Sequence, residues 1–464
     1  MTNPTTNRLI LLEFNELTPD LMERFIAKGK LPNFSRFRNE SIIHVTEAAE
    51  QPPNLEPWIQ WPTVHTGLDY CDHRLYRLNE GHQLAQPRIW DVASKADLTC
   101  LVFGSMNVNC QDDFKGLVLP DPWCTEFPPT AELEVFFRFI QKNVLEYSND
   151  KVPLTKRDYV SILHFLITHG LSLSTVASIL RQLRGEDGSR FRWKRAVLLD
   201  KLQFDVFRWY WKNRKPSLGT FFANSTAHFQ HSYWRNMEPD IFDVKPDNPK
   251  PDEYEDAIQF GYEEMDKLIG HFMEMADEST TLIFSTAISQ QPCLKYEDSG
   301  GAYFHRSKDF SKFLRHLGIN YFIKVAPVMT HQFHVDFDSK ESARLASVEL
   351  SSFTLGGEQL FQVELQGERV FAGCRIYHRV DEDVEIVSAT NQTPIRFQDF
   401  FYRMETSKSG MHHPDGMLWV REPGRQHRID SNKLPLRAVA PLILNYFNLS
   451  LPRLSQNSLQ AASM

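Results

Sequence analysis

Four short apolar runs constrain the fold of this chain more than any other feature of its sequence. They lie at residues 8–15, 98–107, 217–225 and 280–289. A nearly continuous apolar run is typical of a strand that is covered on both faces, as in a parallel sheet. Amphipathic helical patterns separate these runs, at residues 18–28, 195–213 and 256–276. This alternation predicts an α/β fold, a doubly wound and mostly parallel sheet.

Two regions interrupt the alternation. Residues 130–190 have helical patterns and predict a helical insertion, or cap. Residues 321–400 predict an antiparallel β insertion, with strand-like segments at 333–337, 347–355, 359–365 and 369–380. The chain is therefore divided into a first core part (1–129), the helical insertion (130–190), a second core part (191–320), the β insertion (321–400), a closing loop and helix (401–452) and a tail (453–464).

Charge and composition exclude several classes of protein. The formal net charge of −8 argues against nucleic acid as the main partner. No apolar run is long enough for a membrane span, and the run at residues 9–12 is too short for a signal peptide, so we expect a cytoplasmic protein. The six cysteines are scattered without a C-x-x-C pair, which predicts free thiols that are buried or idle. No G-x-G-x-x-G follows a predicted strand, so dinucleotide binding is not expected.

Polar residues follow the predicted strands at the point where a parallel sheet binds its ligands. The first strand ends in Glu13, Asn15 and Glu16, and the others carry similar groups. We take five of these polar residues as candidates for substrate binding. They are Asn15, Asn224, Ser225, Gln290 and Gln291.

Histidines near the same edge predict a metal site. His228 and His231 are three residues apart and share one face of a predicted helix. His412 lies in a predicted loop at 408–416, and Glu13 supplies a carboxylate. These four residues could hold one divalent ion, with zinc the best match to the ligands and manganese or iron as alternatives. The absence of any metal is left open as a second alternative.

The segment at residues 52–67 suggests catalytic groups. A loop that enters a helix here would direct backbone N–H groups at an anion. Glu56, Thr63 and His65 lie in this segment, and His413 is adjacent to His412. A threonine could act as a nucleophile and the other three as acids or bases, with or without a metal. A loop that packs two buried indoles is the alternative.

In order along the chain, four segments resemble the alkaline-phosphatase superfamily in its type I phosphodiesterase/nucleotide pyrophosphatase branch. The resemblance covers nearly the whole chain. The segments are residues 8–17 with Gly-Lys-Leu-Pro-Asn at 29–33, residues 61–67, residues 221–234, and residues 412–418 with 434–449.

The resemblance implies hydrolysis of phosphate or sulfate esters with two metal ions and a Ser or Thr nucleophile. This sequence departs from that pattern at several positions. Asn15 and Ala227 stand where the family has Asp, residues 286–288 read Thr-Ala-Ile instead of Asp-His-Gly, and the nucleophile position falls near Pro57. Two metals need about six ligands. We therefore expect a remodelled site with at most one metal.

The expected function is action on, or binding of, a small phosphate or sulfate ester of the nucleotide or sugar type, the reaction being hydrolysis or group transfer. The alternative is a catalytically inactive member of the fold that serves as a ligand-binding or scaffold protein.

Overall fold

The computed structural model describes residues 7–124, 126–148, 154–187, 190–246, 251–328, 331–387, 395–404 and 408–452. The proposed tail at 453–464 lies outside these residues. The strands are β1 Arg8–Phe14, β2 Ile42–Glu47, β3 Cys100–Phe103, β4 Gly116–Leu119, β5 Leu218–Ala223, β6 Thr280–Ser285, β7 Ser289–Pro292, β8 His305–Ser307, β9 Phe322–Pro327, β10 Gln332–Phe337, β11 Thr354–Leu355, β12 Glu358–Gln359, β13 Phe361–Gln366, β14 Arg369–Cys374, β15 Glu385–Val387, β16 Ile395–Arg396, β17 Phe401–Arg403, β18 Gly410–His413, β19 Asp415–Arg421, β20 Arg428–Ile429 and β21 Leu434–Pro435.

The helices alternate with these strands along the chain, as the apolar pattern predicts. They are α1 Pro19–Ala27, α2 Pro32–Asn39, α3 Pro57–Thr66, α4 Tyr70–His73, α5 Ile89–Lys95, α6 Glu134–Ser148, α7 Lys156–Thr168, α8 Leu173–Gly185, α9 Ala196–Arg214, α10 Ser225–Met237, α11 Ala257–Met275, α12 Phe310–His316, α13 Lys340–Ser352, α14 Phe397–Phe400 and α15 Val439–Tyr446. Among the described residues, no helix is both long enough and apolar enough to cross a membrane.

A mixed sheet forms the centre of the molecule. Its strand order is β20-β2-β19-β6-β1-β5-β3-β4, with β21 paired to β2. The five strands from β6 to β4 are parallel, and β19 is antiparallel to both of its neighbours. The predicted doubly wound, mostly parallel sheet is confirmed.

Helices cover both faces of this sheet because its strands are apolar on both sides. On β1, Ile10 and Leu12 belong to one buried cluster, which includes residues of α1, α2, α9 and α11. Leu9 and Leu11 belong to a second cluster, with residues of α3, α5 and α15. Alternate side chains of a strand point to opposite faces, so each strand contributes to two cores. Because these five strands are parallel, their carboxyl ends lie together at one edge of the sheet.

The two insertions are also present. Helices α6 to α8 form the helical one, and residues 169–172 separate α7 from α8. In the β insertion, β13-β14-β10-β9 form an antiparallel sheet. The expected strand at 347–355 is wrong over most of its length. Ser339 caps α13 there, and Ala343, Ala346 and Leu350 pack inward at helical spacing.

Candidate metal centre

Glu16 lies just beyond the carboxyl end of β1, at the middle of the sheet. Its backbone has φ of 60°, a left-handed conformation that is uncommon for a residue with a side chain. Its side chain is only 2% exposed. Ala287, which follows the adjacent strand β6, also has a positive φ, 57°. Backbone strain of this kind persists only where surrounding structure holds it, and it is often found at functional sites.

Amide side chains hold the Glu16 carboxylate. Asn15 Nδ2 donates to Glu16 Oε1 at 2.7 Å, and Gln290 Nε2 donates to Oε2 at 2.6 Å. Gln230 Nε2 donates to the backbone carbonyl of Glu16 at 2.7 Å. Trp61 Nε1 in turn donates to Asn15 Oδ1 at 2.8 Å. Two amides therefore fix the carboxylate, Gln230 holds the backbone of Glu16, and Trp61 holds Asn15 in place.

Two imidazoles converge on the same carboxylate oxygen. His231 Nε2, on α10, lies 3.0 Å from Glu16 Oε2, and His412 Nε2, on β18, lies 3.3 Å from it. One donor atom from each of these three residues lies within 4.8 Å of the other two. In the part of the chain that the structure describes, this is the one cluster of three His, Cys, Asp or Glu side chains arranged to hold a metal ion.

The far nitrogens of both rings have acceptors. His231 Nδ1 lies 3.2 Å from the carbonyl oxygen of Gly410, and His412 Nδ1 lies 3.4 Å from Glu56 Oε2. Such partners favour the tautomer with the proton on Nδ1, which leaves Nε2 free to bind a metal. His412 Nε2 is buried and forms no hydrogen bond within the described residues. The donor set therefore fits a divalent ion.

Strand β18 can approach the cluster because residue 410 is glycine. A Cβ atom at Gly410 would lie 2.3 Å from Gln290 Oε1 and 2.6 Å from the carbonyl oxygen of Gln230. The pairing of β18 with β7 places His412 opposite Gln290. Residues 408–416 were expected to form a loop. They are instead largely strand, because β18 and β19 pair with β7 and with the central sheet.

The charges of the cluster stabilise one another. Burial raises the pKa of Glu16, but His412 and His231 outweigh that effect and hold the pKa well below its ordinary value. Burial lowers the pKa of His412, yet Glu16 and Glu56 together raise it above the ordinary value. For Glu56, burial is the largest effect and raises the pKa of the carboxyl group despite the nearby His412 and Lys408.

The structure brings several of the sequence-predicted site residues to this cluster. His231 and His412 belong to it, Asn15 and Gln290 hold Glu16, and Glu56 lies next to His412. Two further residues make weaker contacts around it. Asn224 Oδ1 accepts from Asn15 Nδ2 at 2.8 Å, and Gln291 Nε2 lies 3.4 Å from the carbonyl oxygen of His412.

Glu13 and His65 form a separate pair. Glu13 alternates with Leu9 and Leu11 on β1, so its side chain lies on the face that α3 covers, not at the strand end. His65 Nε2 lies 2.8 Å from Glu13 Oε1, and both side chains are buried. The carboxylate that meets the histidines is Glu16 instead.

Four further candidates also lie outside the cluster. Thr63 is buried in α3, with its hydroxyl 3.4 Å from His73 Nε2. Ser225 donates its hydroxyl to Asp200. His228 is exposed on α10. His413 Nδ1 accepts a hydrogen bond from the backbone N–H of Asp415 at 3.2 Å.

Several solved structures are similar to this chain over nearly its whole length, at low identity. The chain is similar to phosphonoacetate hydrolase from Sinorhizobium meliloti 1021, with 11% identity, 94% of each chain covered and a TM-score of 0.41. It is similar to human ectonucleotide pyrophosphatase/phosphodiesterase 5, with 9% identity over 98% of this chain and 99% of that chain and a TM-score of 0.44. It is also similar to the alkaline phosphatase PafA, with 10% identity over 97% of each chain and a TM-score of 0.45.

No protein-family model matches the chain, and no curated protein matches it. The strand order itself confirms the predicted α/β fold, a mostly parallel sheet with a helical and an antiparallel insertion.

Proposed function

We propose that this protein binds one divalent metal ion through Glu16, His231 and His412 and hydrolyses a small phosphate or sulfate ester of the nucleotide or sugar type. One observation carries the proposal. The Nε2 atoms of two histidines converge on one buried carboxylate oxygen, at 3.0 Å and 3.3 Å.

The spacing of the donor atoms supports this assignment. Two ligands bound to zinc at about 2.05 Å in a tetrahedral site are about 3.3 Å apart. The observed 3.0 Å and 3.3 Å from Glu16 Oε2 to the two Nε2 atoms are close to that value. Two imidazoles and one carboxylate suit zinc and also iron or manganese, so zinc is the first choice and the other two are the alternatives.

Positive charge near the cluster favours an anionic substrate. Lys408 lies near Glu56 and His412, and its positive charge partly opposes the rise in the pKa of both groups. Helix α3 begins at Pro57, directly after Glu56, and the positive end of a helix dipole favours anions. The substrate phosphate or sulfate would therefore lie between the cluster, Lys408 and the start of α3.

Glu56 is the best placed general base. Its side chain is 29% exposed, so water can reach a carboxylate that otherwise contacts His412. Burial raises its pKa, which brings the carboxylate closer to the pH at which it can accept and return a proton. We assign Glu56 Oε2 to the removal of a proton from the attacking water. When bound, a divalent ion would polarise a phosphoryl oxygen and neutralise its charge.

A second candidate function is ligand binding without catalysis. The Glu16 carboxylate already has four partners, Asn15, Gln290, His231 and His412, so the cluster is a closed ion-pair network even without a metal. Such a network could serve only to shape a pocket for a phosphorylated ligand.

Metal titration combined with turnover separates the two functions. Chelator-treated protein would be loaded with zinc, manganese or iron and assayed with p-nitrophenyl phosphate, bis(p-nitrophenyl) phosphate and p-nitrophenyl sulfate. We expect metal-dependent hydrolysis that His231→Ala and His412→Ala abolish. His228→Ala is the matched control, because His228 is exposed on the same helix. Turnover that survives both substitutions would contradict the proposal.

A further inference from the structure

Helices α7 and α8 of the helical insertion expose large apolar side chains to solvent. The exposed fractions are 69% for Val160, 53% for Leu163, 65% for Ile167 and 88% for Leu173. Scattered apolar residues are normal on a protein surface, but a concentration on two consecutive helices is not. We call these four residues the apolar face of the insertion.

This face is distinct from the side of α7 that stabilises the fold. Ile162, Phe165 and Leu166 are buried against the core of the protein. Residues 160, 163 and 167 are spaced so that they lie together on another side of the helix. Packing within the chain therefore explains one apolar side of α7 and leaves the other without a role.

The two helices that carry this face are also basic, in contrast to the whole chain. Residues 156–185, from the start of α7 to the end of α8, contain four Lys and Arg against one acidic residue, although the whole chain has 51 Lys and Arg against 59 Asp and Glu. Lys156, Arg157, Arg181 and Arg184 are exposed on α7 and α8. The one acid, Asp158, is paired with Lys142 at 2.9 Å. Apolar side chains beside exposed cations are typical of helices that lie in a membrane interface.

The connection between the two helices is held against the core. The backbone N–H of Ser172 donates to Asp205 Oδ2 at 2.9 Å, and Arg208 Nη2 donates to the carbonyl oxygen of Gly170 at 3.2 Å. Asp205 and Arg208 belong to the long helix α9. The helices that carry the apolar face are therefore held in place before binding, which lowers the conformational entropy lost when the face binds a surface.

We propose that the apolar face of the insertion binds the surface of an anionic lipid bilayer, with its apolar side chains among the headgroups and its cations on the lipid phosphates and carboxylates. A second copy of this chain fits less well. A symmetric dimer brings the same patch of two molecules together, so it would place the exposed cations of both copies against each other.

Vesicle sedimentation tests the proposal with the full chain. The vesicles would be pure phosphatidylcholine, or phosphatidylcholine with 30% phosphatidylserine, at low and high salt. The variants are Ile167→Asp/Leu173→Asp and Arg181→Glu/Arg184→Glu. Ile323→Asp, at a residue 68% exposed on β9, is the matched control for adding a charge at an exposed apolar site. Circular dichroism would establish that each variant is folded.

We expect the protein to sediment with the phosphatidylserine vesicles and to be released by salt. Each double variant should lower the partition coefficient about tenfold or more, and the control should not change it. Failure of the unmodified protein to sediment with phosphatidylserine vesicles would overturn the proposal. A dimer that Ile167→Asp/Leu173→Asp disrupts, without vesicle binding, would assign the face to a second copy and would also overturn it.

Discussion

Oε2 of Glu56 lies 3.4 Å from Nδ1 of His412, on the side of the imidazole ring that faces away from Glu16. A carboxylate in this position orients a metal-binding histidine and makes it more basic. The same carboxylate stands at the start of helix α3 and is partly exposed to water. Glu56 therefore lies between the proposed metal centre and the region where an anionic substrate would bind.

Replacement of the Glu56 carboxylate should weaken metal binding while the protein still folds. For Glu56→Gln we expect a 10- to 100-fold loss of metal affinity, which is typical when such a partner of a metal-binding histidine is lost. Metal titration followed by calorimetry would measure it. Glu47→Gln, at an exposed glutamate on β2, should leave the affinity unchanged. An unchanged metal affinity in Glu56→Gln would show that Glu56 does not belong to the metal centre.

Asn15 should stabilise the protein as well as position Glu16. It donates to Glu16 Oε1 and Asn224 Oδ1 and accepts from Trp61 Nε1. Asn15→Ala leaves the buried indole N–H without its acceptor, so we expect a loss of about 2–4 kcal/mol in the free energy of unfolding. Urea denaturation would measure this loss. Asn213→Ala, on the exposed side of α9, should cost far less. Equal losses in the two variants would contradict the role assigned to Asn15.

The buried pair of Glu13 and His65 should be structural. Removing one partner leaves a buried polar group alone, so His65→Ala should lower the free energy of unfolding by about 3–5 kcal/mol. The apolar double variant Glu13→Leu/His65→Phe should recover most of that loss and should bind metal as the unmodified protein does. Loss of metal from the folded double variant would show instead that the pair belongs to the metal site.

Because of Asp121, the stability of the protein should fall as the pH rises. It is 1% exposed, its Oδ2 has no hydrogen-bond partner among the described residues, and burial raises its pKa to about 7. Because its pKa in the folded state is higher than in the unfolded state, its contribution is fully present below about pH 4 and is lost as the pH rises through about 7. The stability of the unmodified protein relative to Asp121→Asn should therefore fall by up to about 4 kcal/mol between pH 4 and pH 8.

Urea denaturation of both proteins across this range would measure the difference. A constant difference between the unmodified protein and Asp121→Asn would contradict the raised pKa.

Much of the fold follows from local sequence patterns. The apolar runs predict the parallel strands because a strand covered on both faces has few polar positions, and the runs around Leu11 and Ile283 are indeed central strands. The strand expected at 347–355 is wrong because Val348 and Leu350 fit alternation as well as they fit the helix that forms there. Short apolar patterns do not distinguish the two structures.

The sequence predicts the edge of the sheet, both histidines and one neighbouring carboxylate of the proposed metal centre. It places Glu16 at a strand end but favours Glu13 as the ligand, whereas Glu16 is the carboxylate that meets the histidines. The choice depends on whether the chain turns directly after Asn15, and Glu16 turns it with a positive φ that its side chain does not favour. A glycine at that position would have signalled the turn. A glutamate gives no such signal.

Metal content of the purified protein tests the central claim most directly. The protein would be prepared without chelator or metal-affinity resin and measured by mass spectrometry, together with Glu16→Gln, His231→Ala and His412→Ala. We expect about one zinc, iron or manganese per chain in the unmodified protein, and well below one in each folded variant. The absence of bound metal, with none taken up on titration, would contradict the claim, and so would two ions per chain.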